Sequence, residues 1–233
     1  MPDNLAVVLV PGLNCSPRLY AAQIPELWRF GPVSVANHTR DDAMAAVAKR
    51  ILGDAPPRFA LVGLSMGGYI ALEIMRQAPS RVAKLALLDT GARDDPPEAQ
   101  ERRRKSIAAA EAGRFDEIVH LQFPLYVHPA RANDASLKTE YLAMCREVGA
   151  EAYVRQQNAI MGRADSRPLL VGIGCPTLVL VGAQDEATPP TLSEEMAAGI
   201  PGARLVTVPD CGHLSTMEKP EAVTRALVEW MSG

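Results

Sequence analysis

The stretch Phe59-Ala60-Leu61-Val62-Gly63-Leu64-Ser65-Met66-Gly67-Gly68-Tyr69-Ile70 decides the fold. A short apolar run stops at a Gly-x-Ser-x-Gly core, and a helical pattern, Ala71-Leu72-Glu73-Ile74-Met75, follows at once. A chain that passes from strand to helix within one residue turns sharply. Glycine is needed there, because the new helix packs close against the strand it has just left. Such a turn carries Ser65 to the C-terminal tip of the strand. Its hydroxyl then projects beside a helix N-terminus, whose unpaired N–H groups favour developing negative charge. A glycine-rich turn with an incidental serine would also fit the bare five-residue pattern. The strand before it, the helix after it and the glycines at 63, 67 and 68 favour a nucleophile elbow.

Outward from this turn, the chain alternates strand and helix. Leu5–Val10 is a continuous apolar run, the pattern of a strand buried on both faces, and Pro11-Gly12-Leu13-Asn14 ends it as a loop. Residues 17–30 read as helix. Val33–Ala36 is a second strand, and a helix follows with its apolar face at Met44, Val47, Ala48 and Ile51, capped by Asp41 or Asp42. The elbow strand is third. Strands at 82–90, 176–182 and 203–208 complete the set, with helices at 189–199 and 220–231. This alternation predicts an α/β fold with a mainly parallel, doubly wound sheet. From about 93 to 171 only helical patterns occur, at 98–112, 114–121, 134–148 and 151–161. The expected organisation is a core of residues 1–92 and 172–233, with residues 93–171 as a helical cap inserted after the fourth strand and covering Ser65. Ligands of open parallel sheets bind beyond the carboxyl ends of the strands, where this excursion begins.

Composition narrows the classes of function. The chain has 233 residues, is 48% hydrophobic and carries a formal net charge of −3, so it can bury a large core and offers no electrostatic case for nucleic acid. The one basic run, Arg102-Arg103-Arg104-Lys105, reads as a solvated helix face. No run approaches the ~18 apolar residues of a membrane span. Met1-Pro2-Asp3-Asn4 lacks the basic start of a signal segment, so a cytoplasmic location is expected. Cys15, Cys145, Cys175 and Cys211 lack metal-type spacing and read as free thiols, and no metal site is expected.

A serine hydroxyl needs a base within hydrogen-bond reach, and the base needs an orienting partner. His213, in Asp210-Cys211-Gly212-His213, follows the last strand and opens toward the sheet edge where Ser65 emerges. His38 also follows a strand end, as a substrate contact or a more distant rival base. Asp185 and Asp89 both follow strand ends as candidate acids; Asp185 gives the order Ser, Asp, His that accompanies this elbow. Asp89 would otherwise anchor the start of the insertion. The oxyanion hole is expected from the backbone N–H of Met66, next to the nucleophile, and of Leu13 in the loop after the first strand.

Gly63-Leu64-Ser65-Met66-Gly67-Gly68, Val181-Gly182-Ala183-Gln184-Asp185 with Pro189, and Gly212-His213 with Glu218-Lys219-Pro220 together resemble the α/β-hydrolase superfamily over essentially the whole chain. The nearer likeness is to its bacterial helical-cap branch of esterases, enol-lactonases, carbon–carbon bond hydrolases and cofactor-free perhydrolases. The resemblance implies Ser65, Asp185 and His213 as a catalytic triad, with no cofactor. Two departures stand out. Pro11-Gly12 replaces the family's usual His-Gly pair, and Asn37-His38-Thr39-Arg40-Asp41-Asp42 replaces an Arg-Gly-His-Gly segment.

The expected reaction is hydrolysis of a small carboxylic ester or lactone through an acyl-enzyme, with a small acyl substrate and water as partners. Carbon–carbon cleavage and perhydrolysis are the alternatives on the same scaffold, and a small-ligand receptor is the non-enzymatic one. His38, Arg40, Tyr126, Met144 and Met161 are the candidate substrate contacts. Arg40, Arg155 and Arg163 are candidate partners for a substrate carboxylate, though each also reads as an ordinary surface arginine.

Overall fold

Six strands form one all-parallel sheet in the order β2-β1-β3-β4-β5-β6. They are β1 (Ala6–Val10), β2 (Val33–Val35), β3 (Phe59–Leu64), β4 (Val82–Leu88), β5 (Thr177–Gly182) and β6 (Arg204–Val208). The computed structural model describes residues 4–233; Met1–Asp3, part of the stretch read above for a signal segment, lie outside the described residues. No helix of the described residues is long and apolar enough to cross a membrane.

Alternate residues of each central strand enter opposite cores, as the two-residue period of a strand requires. Val7, Leu9, Ala60, Val62, Ala86, Leu88, Leu178 and Leu180 pack on one face with Leu227 and Trp230 of the C-terminal helix Pro220–Ser232. Val8, Val10, Phe59, Leu61, Leu85, Leu87 and Val179 pack on the other, with helices Met44–Asp54, Met66–Gln77 and Pro190–Gly199. A doubly wound arrangement is the way to bury strands that are apolar on both faces.

Between β4 and β5 the main elements are helices Pro97–Glu111, Phe115–Gln122, Ala135–Val148 and Ala150–Met161, close to the positions read from periodicity. This helical segment joins both cores. Phe123, Tyr141 and Met144 belong to the first, Ala159 and Ile160 to the second.

Two local expectations are corrected. Residues 17–30 form three short turns of helix, Pro17–Tyr20, Ile24–Leu27 and Trp28–Phe30, and not one continuous helix; Pro25 lacks the backbone donor that a continuous helix would use there, whereas Pro17 stands at a helix start. Neither Asp41 nor Asp42 caps Met44–Asp54. Ala43 holds the N-cap position without a side-chain bond, and the Asp41 carboxylate pairs with both Nε and Nη2 of Arg50 at 2.6 and 2.8 Å.

Chain direction places the crevice. From β1 the chain goes to β2 on one side and then to β3 on the other, so the loop after β1 and the elbow after β3 diverge at a topological switch point. The two are held almost in contact. A Cβ on Gly67 would lie 2.0 Å from the Val10 carbonyl oxygen, and one on Gly63 would lie 2.2 Å from that of Gly67. Only glycine lets the elbow helix sit against both strands.

Gly67→Ala should therefore lower stability by about 3 kcal/mol, because backbone and not a flexible side chain must yield. Gly53→Ala, whose Cβ would meet nothing within 4 Å, should be neutral or stabilising by about 0.5 kcal/mol. Urea unfolding midpoints of the two variants check the contrast.

Candidate active site

Ser65 occupies the tip of the elbow with φ 55° and ψ −117°, a conformation that non-glycine residues rarely adopt. Neighbouring strands hold it there. The Ser65 N–H donates to the Leu88 carbonyl at 2.9 Å, and Thr90 Oγ1 donates to the Ser65 carbonyl at 2.8 Å. The side chain is left free to face the crevice.

His213 lies in the loop after β6, with Nδ1 at 2.8 Å from Asp185 Oδ2. An ionised carboxylate only accepts, so Nδ1 carries the proton and Nε2 keeps its lone pair. Asp185 also accepts from the N–H groups of Ala187 and Thr188 at 2.8 and 2.9 Å and from Thr188 Oγ1 at 2.7 Å. Burial disfavours the Asp185 charge, but His213 and these donors outweigh it and the pKa is lowered. Burial likewise disfavours the imidazolium of His213, while the Asp185 charge and hydrogen bond more than compensate, and its pKa is raised. No hydrogen bond joins Ser65 Oγ to His213 here; such bonds are often loose before substrate binds.

Asp89 takes a different part. It is fully buried, accepts from the Gly182 N–H at 2.9 Å and hydrogen-bonds Ser215 Oγ. Burial, then the nearby Asp185 charge, pushes it well above the ordinary carboxylate range. One carboxylate is thus held charged against the histidine. The other is pushed toward its neutral form while tying the end of β4 to β5 and to the histidine loop.

The Leu13 and Met66 backbone N–H groups donate to no acceptor among the described residues, and Leu13 and Ser65 line the same cavity. Three side chains fix the loop that carries Leu13. Tyr20 Oη donates to the Val10 carbonyl at 2.9 Å, His38 Nε2 to the Gly12 carbonyl at 2.9 Å, and the Asn14 N–H donates to Gln156 Oε1 at 2.9 Å. His38 is buried, and burial lowers its pKa to about 4, so it is the neutral donor this contact needs. Its side chain serves the loop in which Pro11-Gly12 replaces the family's usual pair.

The cavity, of about 110 Å³, brings together Ser65, His213, Leu13, Tyr126 and Thr188. Tyr126 packs on the His213 ring, with centroids 5.4 Å apart. The other candidate substrate contacts lie outside its lining. His38 holds the β1 loop, Arg40 is exposed, Met144 is buried among Phe123 and Tyr141, and Met161 is half-buried elsewhere. Arg155 and Arg163 also miss the cavity. Arg155 Nε donates to the Thr39 carbonyl, and Arg163 pairs with Asp95 and stacks on the Tyr69 ring.

Three contributors escaped the sequence reading. Arg103 lines the cavity, although its run reads as a solvated face. Its spacing from Ala99 and Ala110, the buried residues of its helix, was the available signal. Thr188 adds its N–H and hydroxyl to an Asx-turn that the Ala187 N–H closes on Asp185, a pattern visible in Asp185-Glu186-Ala187-Thr188. Glu218 is buried and accepts from the N–H groups of Gly212 and His128 at 2.9 and 2.7 Å, clamping the histidine loop to the helical segment. Only the tertiary fold reveals that clamp.

With this geometry, the comparisons are decisive for the family. A sequence profile described as the alpha/beta hydrolase family matches residues 7–226. The chain belongs to that family. It is similar to a thermophilic esterase from Thermogutta terrifontis, whose malate-bound structure superposes with a TM-score of 0.88 at 33% identity, covering 100% of this chain and 91% of the other. It is 33% identical over 189 residues to BpoC of Mycobacterium tuberculosis, named for a non-heme bromoperoxidase, covering 76% of this chain and 69% of that one. It is 26% identical over 249 residues to a pimeloyl-[acyl-carrier protein] methyl ester esterase of Neisseria meningitidis, covering 100% and 95%.

Titration of His213, followed by NMR, should give a pKa above 6.5. Asp185→Asn removes the charge that opposes burial, so the value should fall below 6.5. Asp89→Asn removes a smaller contribution and should lower it less than Asp185→Asn does.

Proposed function

We propose that this family member is a serine hydrolase cleaving a small carboxylic ester or lactone, with Ser65 as nucleophile, His213 as general base and Asp185 as its orienting acid. The observation that carries the reading is one cavity. It holds the elbow serine, a histidine whose Nδ1 is bonded to a buried carboxylate, and Leu13, whose backbone N–H has no acceptor among the described residues.

In this mechanism Ser65 Oγ attacks the acyl carbon while its proton passes to His213 Nε2. The Leu13 and Met66 N–H groups receive the oxyanion. His213 then protonates the leaving alkoxide, and an acyl-enzyme remains. Water, deprotonated by the same nitrogen, attacks the acyl carbon; the acid leaves and Ser65 regains its proton. Asp185 stabilises the imidazolium at each transfer without taking the proton. Tyr126, Arg103 and Ile160 support treating residues 93–171 as a cap over a core of 1–92 and 172–233, since they roof the cavity from that segment.

The likeness to the protein named for a non-heme bromoperoxidase favours a second reading. Hydrogen peroxide would replace water as acceptor of the same acyl-enzyme, releasing a peracid.

Short p-nitrophenyl esters and a lactone panel test the hydrolase reading. Ser65→Ala should lower kcat by on the order of 10⁴-fold or more. Because the base acts when neutral and its pKa is raised, kcat/KM should fall on the acid side with a midpoint above 6.5. Absence of turnover across the whole panel by the intact enzyme would refute it. Peracid formed on adding hydrogen peroxide would identify the second activity.

A further inference from the structure

The reading of Ser65 and His213 as catalytic leaves one charged wall of their cavity without a task. Arg103 is the basic residue of Arg102–Lys105 that turns inward; Arg102, Arg104 and Lys105 are exposed. Its Nε donates to Asp95 Oδ2 at 2.5 Å and its Nη1 to Gln157 Oε1 at 2.7 Å. Nη2 donates to no acceptor among the described residues.

The charge of Arg103 is only partly matched. Asp95 is shared with a second guanidinium, since Arg163 Nη2 lies 2.7 Å from Asp95 Oδ1. Two partly buried arginines on one carboxylate leave a net positive charge. Arg163 donates through its other two nitrogens to the carbonyls of Arg93 and Ile160 and lies over the Tyr69 ring, 4.1 Å from its centroid. Arg103 alone of the pair reaches the cavity. Burial penalises its charge, and its pKa is nonetheless raised, chiefly through Asp95. Tyr69 and Tyr126 line the same cavity, and neither hydroxyl donates to an acceptor among the described residues.

We infer that Arg103, with the hydroxyls of Tyr69 and Tyr126, forms a subsite for a carboxylate carried by the acyl group. The substrate class is then a half-ester of a short dicarboxylic acid, or a lactone bearing a carboxylate. The small cavity joins both ends of such a molecule, with the ester carbon at Ser65 and the free carboxylate at Arg103. A guanidinium fixed through Nε and Nη1 presents its remaining N–H groups without first losing side-chain freedom, which suits recognition of a carboxylate. Hydrolysis of the half-ester consumes one water and releases the alcohol, the dicarboxylate and one proton. The charge facing Arg103 is the same at both ends of the reaction. This inference rests on the hydrolase reading for the identity of the substrate, but the subsite can be tested without turnover.

Two measurements separate the claims. In the first, kcat/KM is measured for the monoethyl esters of succinate, glutarate and adipate and for neutral ethyl esters of the same chain length. The wild-type enzyme should prefer at least one half-ester by about tenfold or more. Arg103→Met should lower the ratio of half-ester to neutral kcat/KM by about thirtyfold, mainly through KM, as loss of a charged hydrogen bond would. Arg103→Lys should recover part of it. Because the readout is a ratio within one variant, a general loss of folded protein cancels.

The second measurement is binding of glutarate by calorimetry to the wild type, Ser65→Ala and Arg103→Met. Binding should persist in Ser65→Ala and weaken about tenfold or more in Arg103→Met. Glutarate binding that depends on Arg103, without turnover of any ester, would refute the hydrolase reading and keep the subsite. Turnover of neutral esters with no preference for half-esters, or an unchanged ratio in Arg103→Met, would overturn the subsite and keep the hydrolase. Failure of the wild type to bind glutarate would also overturn the subsite.

Discussion

The site depends on one steric contact, the seating of Gly67 against the Val10 carbonyl at a separation that no side chain tolerates. The elbow helix begins hard against β1, so the loop leaving β1 runs directly beside Ser65. The N–H of Met66, at the start of that helix, and that of Leu13 in the β1 loop both donate to no acceptor among the described residues. The strained backbone of Ser65 survives because Leu88 and Thr90 grip its N–H and carbonyl. A helix displaced by even an added methyl group would move Ser65 away from the loop that follows β1.

The electrostatics of the site follow from burying two carboxylates side by side. Asp185 is stabilised by three donors from Ala187 and Thr188 and by His213, so it remains the charged partner. Asp89 has fewer donors, deeper burial and a charged neighbour, and is forced upward. Two residues of the same type at the ends of adjacent strands therefore take different roles, one toward the base and one toward the scaffold. Glu218 and Asp89 both hold the histidine loop, from opposite sides of His213 in sequence, through Gly212 and Ser215.

The helical segment between β4 and β5 is bonded to both loops beside the cavity. Gln156 accepts from the Asn14 N–H in the loop after β1, the Tyr126 carbonyl accepts from Leu214 and the His128 N–H donates to Glu218 next to the histidine loop, and Arg103 lines the cavity. Leu214 donates to the Tyr126 carbonyl at 2.9 Å, so His213 and the tyrosine packed on its ring are positioned by the same backbone contact. Any motion of this segment would act on both loops at once.

Strand positions along the chain, the parallel sheet, the elbow and the candidate residues at strand ends were legible in the sequence, because local patterns cause them. Continuous apolar runs require burial on both faces, Gly-x-Ser-x-Gly-Gly requires a tight turn, and Asp185-Glu186-Ala187-Thr188 builds its own hydrogen-bonded turn. Contacts between distant segments were not legible. His38 sits in a strand-end loop like a substrate contact, yet its neighbour is the Gly12 carbonyl. Arg103 sits in a basic run like a solvated residue, yet helix phase turns it inward to Asp95 and the cavity. Met144 belongs to an apolar helix face, and that face is filled by Phe123 and Tyr141. The sequence by itself determined the scaffold and the types of chemistry available at its strand ends. Only the tertiary structure decided what Asp89 ties together and which arginine meets the cavity, because those choices depend on packing between segments far apart in the chain.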